Sequence, residues 1–353
     1  MKINEIETPA LILDKQTFEY NLERMDQLLE GTTMKLRPHY KSNKCAEIAK
    51  LQIKRGAAGI TCAKLGEAED LANAGIENIL IANQVVQPSK VKRVAELAKD
   101  HYIIICVDDK DNIKALSDAA VEAGSQIHVL VEYEVGMKRC GVDTYDEFIE
   151  LAELIDKSEG LIFEGIQAYG GHMAHEHSLE TRIAETNRIE NEVRELKALL
   201  EAKGLKVKEV GGGSTGTIEQ KAKDTVYTDI QAGSYIFMDN AYGQLHLGFK
   251  NALFVLTTVI STKKDRVVTD TGVKSLGMDQ GDPVFLGVPE GSPISMSEEH
   301  GAVYCVHNFK INDKLRYIPG HCCTTVNIFD ELYVVDGDEV VDCWKITARG
   351  KAY

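Results

Sequence analysis

From about residue 33 to 240 the chain alternates short, continuously apolar runs with longer stretches in which apolar residues recur every three or four positions. Eight short runs stand out: TMKLRP, AAGITCA, NILIANQ, HYIIICVDD, QIHVLVEY, LIFEGIQAY, LKVKEVGGG and VYTDIQAGSYIF. Rich in β-branched residues and without strict alternation, they predict strands of a parallel sheet covered on both faces. The stretches between them, GEAEDLANAGI, PSKVKRVAELAKD and DNIKALSDAAVEAG among them, carry helical periodicity. A longer helix is predicted over 178–203, opening at Ser178 and closing at a glycine. Eight strand–helix units predict a (β/α)8 barrel, with a doubly wound open sheet as the competing arrangement.

After about residue 245 the pattern changes. NALFVLTTVIS, DRVVTDTG, GDPVFLG, HGAVYCV, KLRYIPG and ELYVVDGDEVVDCWKI are short strands separated by turn residues, with little helical periodicity. They predict an antiparallel β-domain. The opening INEIETPALILD is extended as well and is assigned to it. The expected division is a barrel over 14–244 and a β-domain over 245–353 together with 1–13.

Composition narrows the partners. The 353 residues carry 55 acidic against 40 basic side chains, a formal charge of −15, with 44% hydrophobic residues. That is a folded globular chain whose charge disfavours nucleic acid. No apolar run approaches the roughly 18 residues of a membrane helix, and MKINEIETPA lacks a signal-peptide core, so a cytoplasmic location is expected. Cys45, Cys62, Cys106, Cys140, Cys305, Cys322, Cys323 and Cys343 show no framework spacing, so buried thiols are expected rather than disulfides.

Barrel active sites form where strands run into loops. On this map Lys41 follows the first strand, Asn83 and Gln84 the third, and Arg139 the fifth, while Gln167 and Tyr169 end the sixth. The loop GGGSTGT, residues 211–217, follows the seventh strand. Its glycines allow a close backbone approach, and successive N–H groups with the Ser214 and Thr215 hydroxyls suit a phosphate. A phosphate site plus a strand-end lysine suggests pyridoxal phosphate, held covalently by Lys41. His39 is a candidate cofactor neighbour, and Lys44 is expected to be a helix-surface cation. In IPGHCCTTVN, His321 and Cys323 stand two apart on an expected strand or turn. One imidazole and one thiolate suit zinc, with positions left for water and substrate.

Together RPHYKSNK, GMKRCGV, GIQAYGGH, GGGSTGT, DIQAGSYIFMD, SEEHG, PGHCCTTVN and CWKITARG resemble the D-threonine aldolase and D-serine dehydratase family over essentially the whole chain. The resemblance implies the alanine-racemase fold, pyridoxal phosphate and a divalent metal. It implies Lys41 as the cofactor lysine, Arg139 at the phenolic oxygen, and Tyr169 beside the lysine–cofactor bond. Gln167 is assigned to the cofactor from its place at the end of the sixth strand. Gly212, Gly213, Ser214, Thr215 and Gly216, with Gly233 and Ser234, are the implied phosphate cup. His321 and Cys323 are the implied metal ligands, for zinc, manganese or magnesium. Cys322 is expected in packing, and His300 near the metal or capping a loop. A homodimer is implied.

Both chemistries of that family start from a D-β-hydroxy amino acid. A dehydratase expels the β-hydroxyl to give a 2-oxo acid and ammonia; an aldolase breaks Cα–Cβ to give glycine and an aldehyde. The aldolase branch resembles HCDPTVN at the metal motif, whereas this chain has Cys323 there, as the dehydratase branch does. The expectation is therefore a D-serine dehydratase-like elimination, with D-threonine aldolase-type cleavage as the alternative.

Overall fold

The computed structural model describes residues 1–221, 225–289, 291–304 and 308–353. Cys305 and Val306, at the end of one expected strand, lie outside the described residues. The chain divides into two compact units, one of residues 1–27, 42–47 and 234–350, the other of 28–41, 48–233 and 351–353. Strand β1 (Ala10–Asp14) and helix α1 (Lys15–Leu29) come first.

The second unit holds the eight parallel strands β2 (Lys35–Leu36), β3 (Ile60–Cys62), β4 (Asn78–Ile81), β5 (Tyr102–Val107), β6 (Ile127–Glu132), β7 (Leu161–Ala168), β8 (Glu209–Gly212) and β9 (Asp229–Ile230). Each coincides with one of the eight apolar runs. They pair in the order β2-β9-β8-β7-β6-β5-β4-β3, and a parallel bridge between His39 and Thr61 joins the two ends. This is the barrel, and the open sheet is set aside. Between the strands run α2 (Ala46–Lys54), α3 (Leu65–Asn73), α4 (Pro88–Leu97), α5 (Lys110–Ala123), α6 (Tyr145–Lys157) and α7 (Leu179–Ala202). Their termini follow local chemistry. Asp109 caps α5 by accepting from the amides of Asp111 and Asn112, and Gly124 ends it in the left-handed conformation at φ +68°.

Inside the barrel, side chains from neighbouring strands pack together, with Leu80, Ile104, Cys106 and Leu130 forming one buried cluster. The strand-start end is closed by charge. Arg37, 2% exposed, donates to Asn78 Oδ1 at 2.6 Å, Glu209 Oε1 at 2.8 Å and Asp229 Oδ2 at 3.4 Å. Burial pushes the Glu209 carboxyl up to about 7 despite the Arg37 guanidinium beside it. Such a network at this end of a barrel serves stability and leaves the strand C-termini for chemistry.

The first unit is a mixed sheet built on β1. Strand β1 pairs antiparallel with β10 (Leu253–Thr262) and parallel with β11 (Glu331–Asp336). Apart from β1 with β11, the strand pairs of this sheet among the described residues are antiparallel, as with β12 (Glu339–Lys345) on β11. Ile6, Ala10, Ile12, Phe254 and Leu256 form a buried core on one face. Among the described residues no helix is long and apolar enough to cross a membrane.

Candidate active site

Lys41 lies in the 3-10 turn Tyr40–Ser42 just beyond β2. Its amine is 5.6 Å from the centroid of the Tyr169 ring, and the Arg139 guanidinium is 5.5 Å from the same centroid. These three side chains, with His39, Gln84, Glu132, Gln167 and Gln231, line a cavity of about 180 Å3. Strand ends from around the barrel thus deliver a primary amine, a guanidinium, an aromatic ring and three glutamine amides to one polar space. Gln167 and Gln231, both buried, bond each other reciprocally: each Nε2 donates to the other's Oε1, at 2.9 and 2.8 Å. That double bond fixes both amides. His39 is buried, and its Nδ1 accepts from the Lys41 backbone N–H at 3.4 Å.

Lys44 corrects an expectation. It is 8% exposed and stands before α2 with φ +48°, so it is neither helical nor on the surface. The helical periodicity of the following residues extended one turn too far toward the N-terminus, past a backbone turn that a lysine rarely adopts.

Arg139 sits on a loop fastened at several points. Its backbone N–H donates to Glu134 Oε2 at 3.2 Å, and the Gly141 N–H donates to Asp108 Oδ2 at 2.9 Å. Glu134 N–H and Val142 N–H close the loop on the carbonyls of Val142 and Glu132, each at 3.0 Å. Glu132 and Asp108, which the sequence reading passed over, are the ends of adjacent parallel strands; only the strand-end position could have signalled them.

The glycine-rich loop holds a qualified surprise. A Cβ on Gly212 would collide with the Ala168 carbonyl, and one on Gly216 with the Ala174 carbonyl. Tight backbone packing alone therefore accounts for both glycines. Gly213, at φ +69°, needs the left-handed conformation. Thr217 Oγ1 accepts from the Ser214 N–H at 3.0 Å, and the 3-10 turn Thr215–Lys221 follows. Ser214, Thr215 and Gly233 are buried with it. A lysine amine and a guanidinium in one polar cavity, near a strand-end turn of glycine and hydroxyl residues, are a donor set that fits pyridoxal phosphate.

In the first unit, His321 precedes the short helix α8 (Cys322–Val326), so Cys323 falls in a helical first turn rather than on a strand. His321 Nδ1 is 2.7 Å from Asp279 Oδ2, and Thr324 Oγ1 donates to Asp279 Oδ1 at 2.6 Å. Asp279 was not foreseen; 42 residues separate it from His321. The Cys323 sulfur is 3.3 Å from Ser42 Oγ and 3.8 Å from Ser234 Oγ. The Cys322 thiol, with the His321 ring, holds the Cys323 thiol well below its ordinary range. Burial opposes charge on His321, but the Cys323 sulfur and the Asp279 carboxylate push it up to about 9. A stabilised thiolate two residues from an imidazole whose Nδ1 is already engaged is a donor set that fits a soft divalent cation such as zinc. Among the described residues no three His, Cys, Asp or Glu side chains are gathered to hold an ion, so the pair would leave positions for other ligands. Cys322 is fully buried, its N–H donating to Asp239 Oδ2 at 2.9 Å. His300 is exposed; its carbonyl accepts from Ser297 N–H at 2.9 Å, and among the described residues its ring bonds neither His321 nor Cys323.

Comparison with known proteins shows what the chain as a whole is similar to. The family model for the alanine racemase N-terminal domain matches residues 13–241, and one described as a serine dehydratase domain matches 252–335. The chain is 40% identical to a D-threonine aldolase of Arthrobacter sp., covering 98% of this chain and 93% of that one. It is 38% identical to a 3-hydroxy-D-aspartate aldolase of Paracoccus denitrificans strain Pd 1222, over 100% and 95%. The crystal structure of D-threonine aldolase from Filomicrobium marinum superposes with a TM-score of 0.96 at 36% identity, over 100% and 98%. A D-threo-3-hydroxyaspartate dehydratase of Delftia sp. strain HT23 aligns at 27% identity over 96% and 97%.

Proposed function

We propose, from the premise that the chain belongs to the alanine racemase N-terminal domain family and is a pyridoxal-phosphate-dependent lyase, that its reaction is retro-aldol cleavage of D-β-hydroxy-α-amino acids to glycine and an aldehyde. The observation that carries this reading is the gradient of similarity: full-length aldolases at 38–40% identity against a dehydratase at 27%. Cys323 pointed the sequence reading toward elimination of the hydroxyl. The comparisons favour the other chemistry. Elimination stays as the second reading because Cys323 stands where the aldolase-like pattern has an aspartate, with Thr324 departing beside it.

In this reading residues 14–244 carry the cofactor and 245–353, with 1–13, the metal. Lys41 fastens the cofactor, with Arg139, Tyr169, His39 and Gln167 around it and Gly212, Gly213, Ser214, Thr215, Gly216, Gly233 and Ser234 toward the phosphate. What pyridoxal phosphate supplies, when bound, is an electron sink for the bond broken at Cα. A divalent cation on His321 and Cys323 supplies Lewis acidity toward the β-hydroxyl. The chain's own residues do the rest. The Lys41 amine is within the same cavity as Arg139 and is the group placed to carry a proton there. The Tyr169 ring forms a wall near both cations, and the locked Gln167–Gln231 pair presents fixed amide dipoles. A homodimer and a cytoplasmic location belong to this reading.

The test is consumption of D-threonine, L-threonine and D-alanine by protein loaded with pyridoxal phosphate, with and without added zinc or manganese. Metal-dependent loss of D-threonine alone is expected. Turnover of the L-isomer, or racemisation of D-alanine, would overturn the reading.

A further inference from the structure

We infer that Glu132 is the positioning residue for Arg139: its carboxylate, at the end of β6, anchors the guanidinium that faces the cofactor cavity. The inference rests on the reading that this cavity takes pyridoxal phosphate. Glu132 is 6% exposed and lines the cavity itself. Its two oxygens have separate partners. Oε2 accepts from Gln84 Nε2 at 2.6 Å, and Oε1 is 3.8 Å from Arg139 Nη2. The side chain of Arg139 is half exposed, so the buried carboxylate is what ties its charged end to the barrel.

The tie continues through the backbone. Gln84 Nε2 also lies 3.3 Å from Asp108 Oδ2, which accepts the Gly141 N–H at 2.9 Å. Glu132, Gln84 and Asp108 therefore join three strand ends to the loop that carries Arg139, one contact at the guanidinium and one two residues further along the chain. A position for glycine at 141 is built into this arrangement: φ is +99°, and a Cβ would come within 2.8 Å of the Glu134 nitrogen. Burial raises the Glu132 carboxyl, while Gln84 and Arg139 draw it back toward the ionised form, which is the form that can hold a guanidinium. An exposed ion pair at such a distance contributes little. Here one partner is buried and held from the other side, and that makes the charge directional.

A purely structural role for Glu132, keeping Gln84 in place, predicts a different outcome from the positioning role, and a double-mutant cycle separates them. The apoproteins of wild type, Glu132→Gln, Arg139→Lys and the double variant are titrated with pyridoxal phosphate, following the visible band of the lysine-bound cofactor and the Tm of each apoprotein. Glu132→Gln should bind about tenfold more weakly, within the range of coupled neighbours, with a shifted visible maximum and an unchanged Tm. In the Arg139→Lys background the same substitution should add little. Equal affinity and an identical spectrum for Glu132→Gln, or losses that simply add, would overturn the inference. Should Glu132→Gln not fold, Glu132→Asp, which keeps the charge, carries the test; affinity and spectrum as in wild type support anchoring by charge, and a drop in Tm with an unshifted spectrum refutes it. No uptake by the wild-type apoprotein would instead sink the reading of the cavity, and this inference with it.

Discussion

Asp279 and His321 meet through a 2.7 Å contact between Oδ2 and Nδ1, and Thr324 donates to the other carboxylate oxygen at 2.6 Å. The carboxylate therefore engages Nδ1, and Nε2 is the nitrogen a metal would take on displacing the proton that Cys323 and Asp279 hold on the ring. Partners of this kind orient a metal-binding imidazole and raise its basicity. Asp279→Asn, whose amide can donate to Nδ1 and reverse the tautomer, should cost about 10–100-fold in zinc affinity. Calorimetric titration of the metal-stripped protein checks this, with cofactor uptake expected unchanged.

In the reading proposed above, Cys323 is the ligand that would set the preference among metals. A thiolate favours zinc, whereas a carboxylate at the same place favours manganese or magnesium. Cys323→Asp should shift the preference from zinc toward manganese, read as the ratio of the two dissociation constants in one buffer. An unchanged ratio would show that the sulfur does not contact the ion.

The strand-start end of the barrel should respond to pH. Glu209 is held at about 7 in the folded chain, against roughly 4.3 for an unfolded glutamate. The folded state binds this proton more tightly, so the associated stability is complete below about pH 4.3 and is lost as pH rises through 7. The span is at most on the order of 4 kcal/mol. Glu209→Gln cannot titrate, so the Tm of wild type relative to this variant should fall between pH 5 and pH 8. A pH-independent difference would contradict the assignment.

Gly216 tests how the glycine-rich loop is built. A methyl group there would press into the Ala174 carbonyl, so the two loops must separate. Gly216→Ala should destabilise the chain by about 1–3 kcal/mol, as a steric insertion against backbone does. Weakened cofactor uptake in the same variant, measured by titration, would show that loop packing also shapes the phosphate end.

What the sequence revealed, and what it withheld, follows from the range of the forces involved. The eight barrel strands were legible because each is buried on both faces and so reads as a continuous apolar run, Ile103–Val107 being fully buried throughout. Lys41, Arg139, Gln167 and Tyr169 were legible from strand-end position, and the structure brings them into one cavity. Lys44 was misjudged because a left-handed turn at a lysine leaves no local signature. Asp279, Glu132 and Gln231 act through contacts to residues 42, 48 and 64 positions away. No periodicity encodes such a contact. The choice between two reactions was weighted on one side chain, Cys323, and similarity over the full length pointed the other way.

The most direct measurement is the identity of the product. Protein loaded with pyridoxal phosphate and zinc is incubated with D-threonine, and the mixture is followed by proton NMR. Glycine and acetaldehyde appearing in equal amounts is the predicted result. 2-Oxobutanoate and ammonia, with no glycine, would contradict the aldol reading and make Cys323 the residue that decides the chemistry.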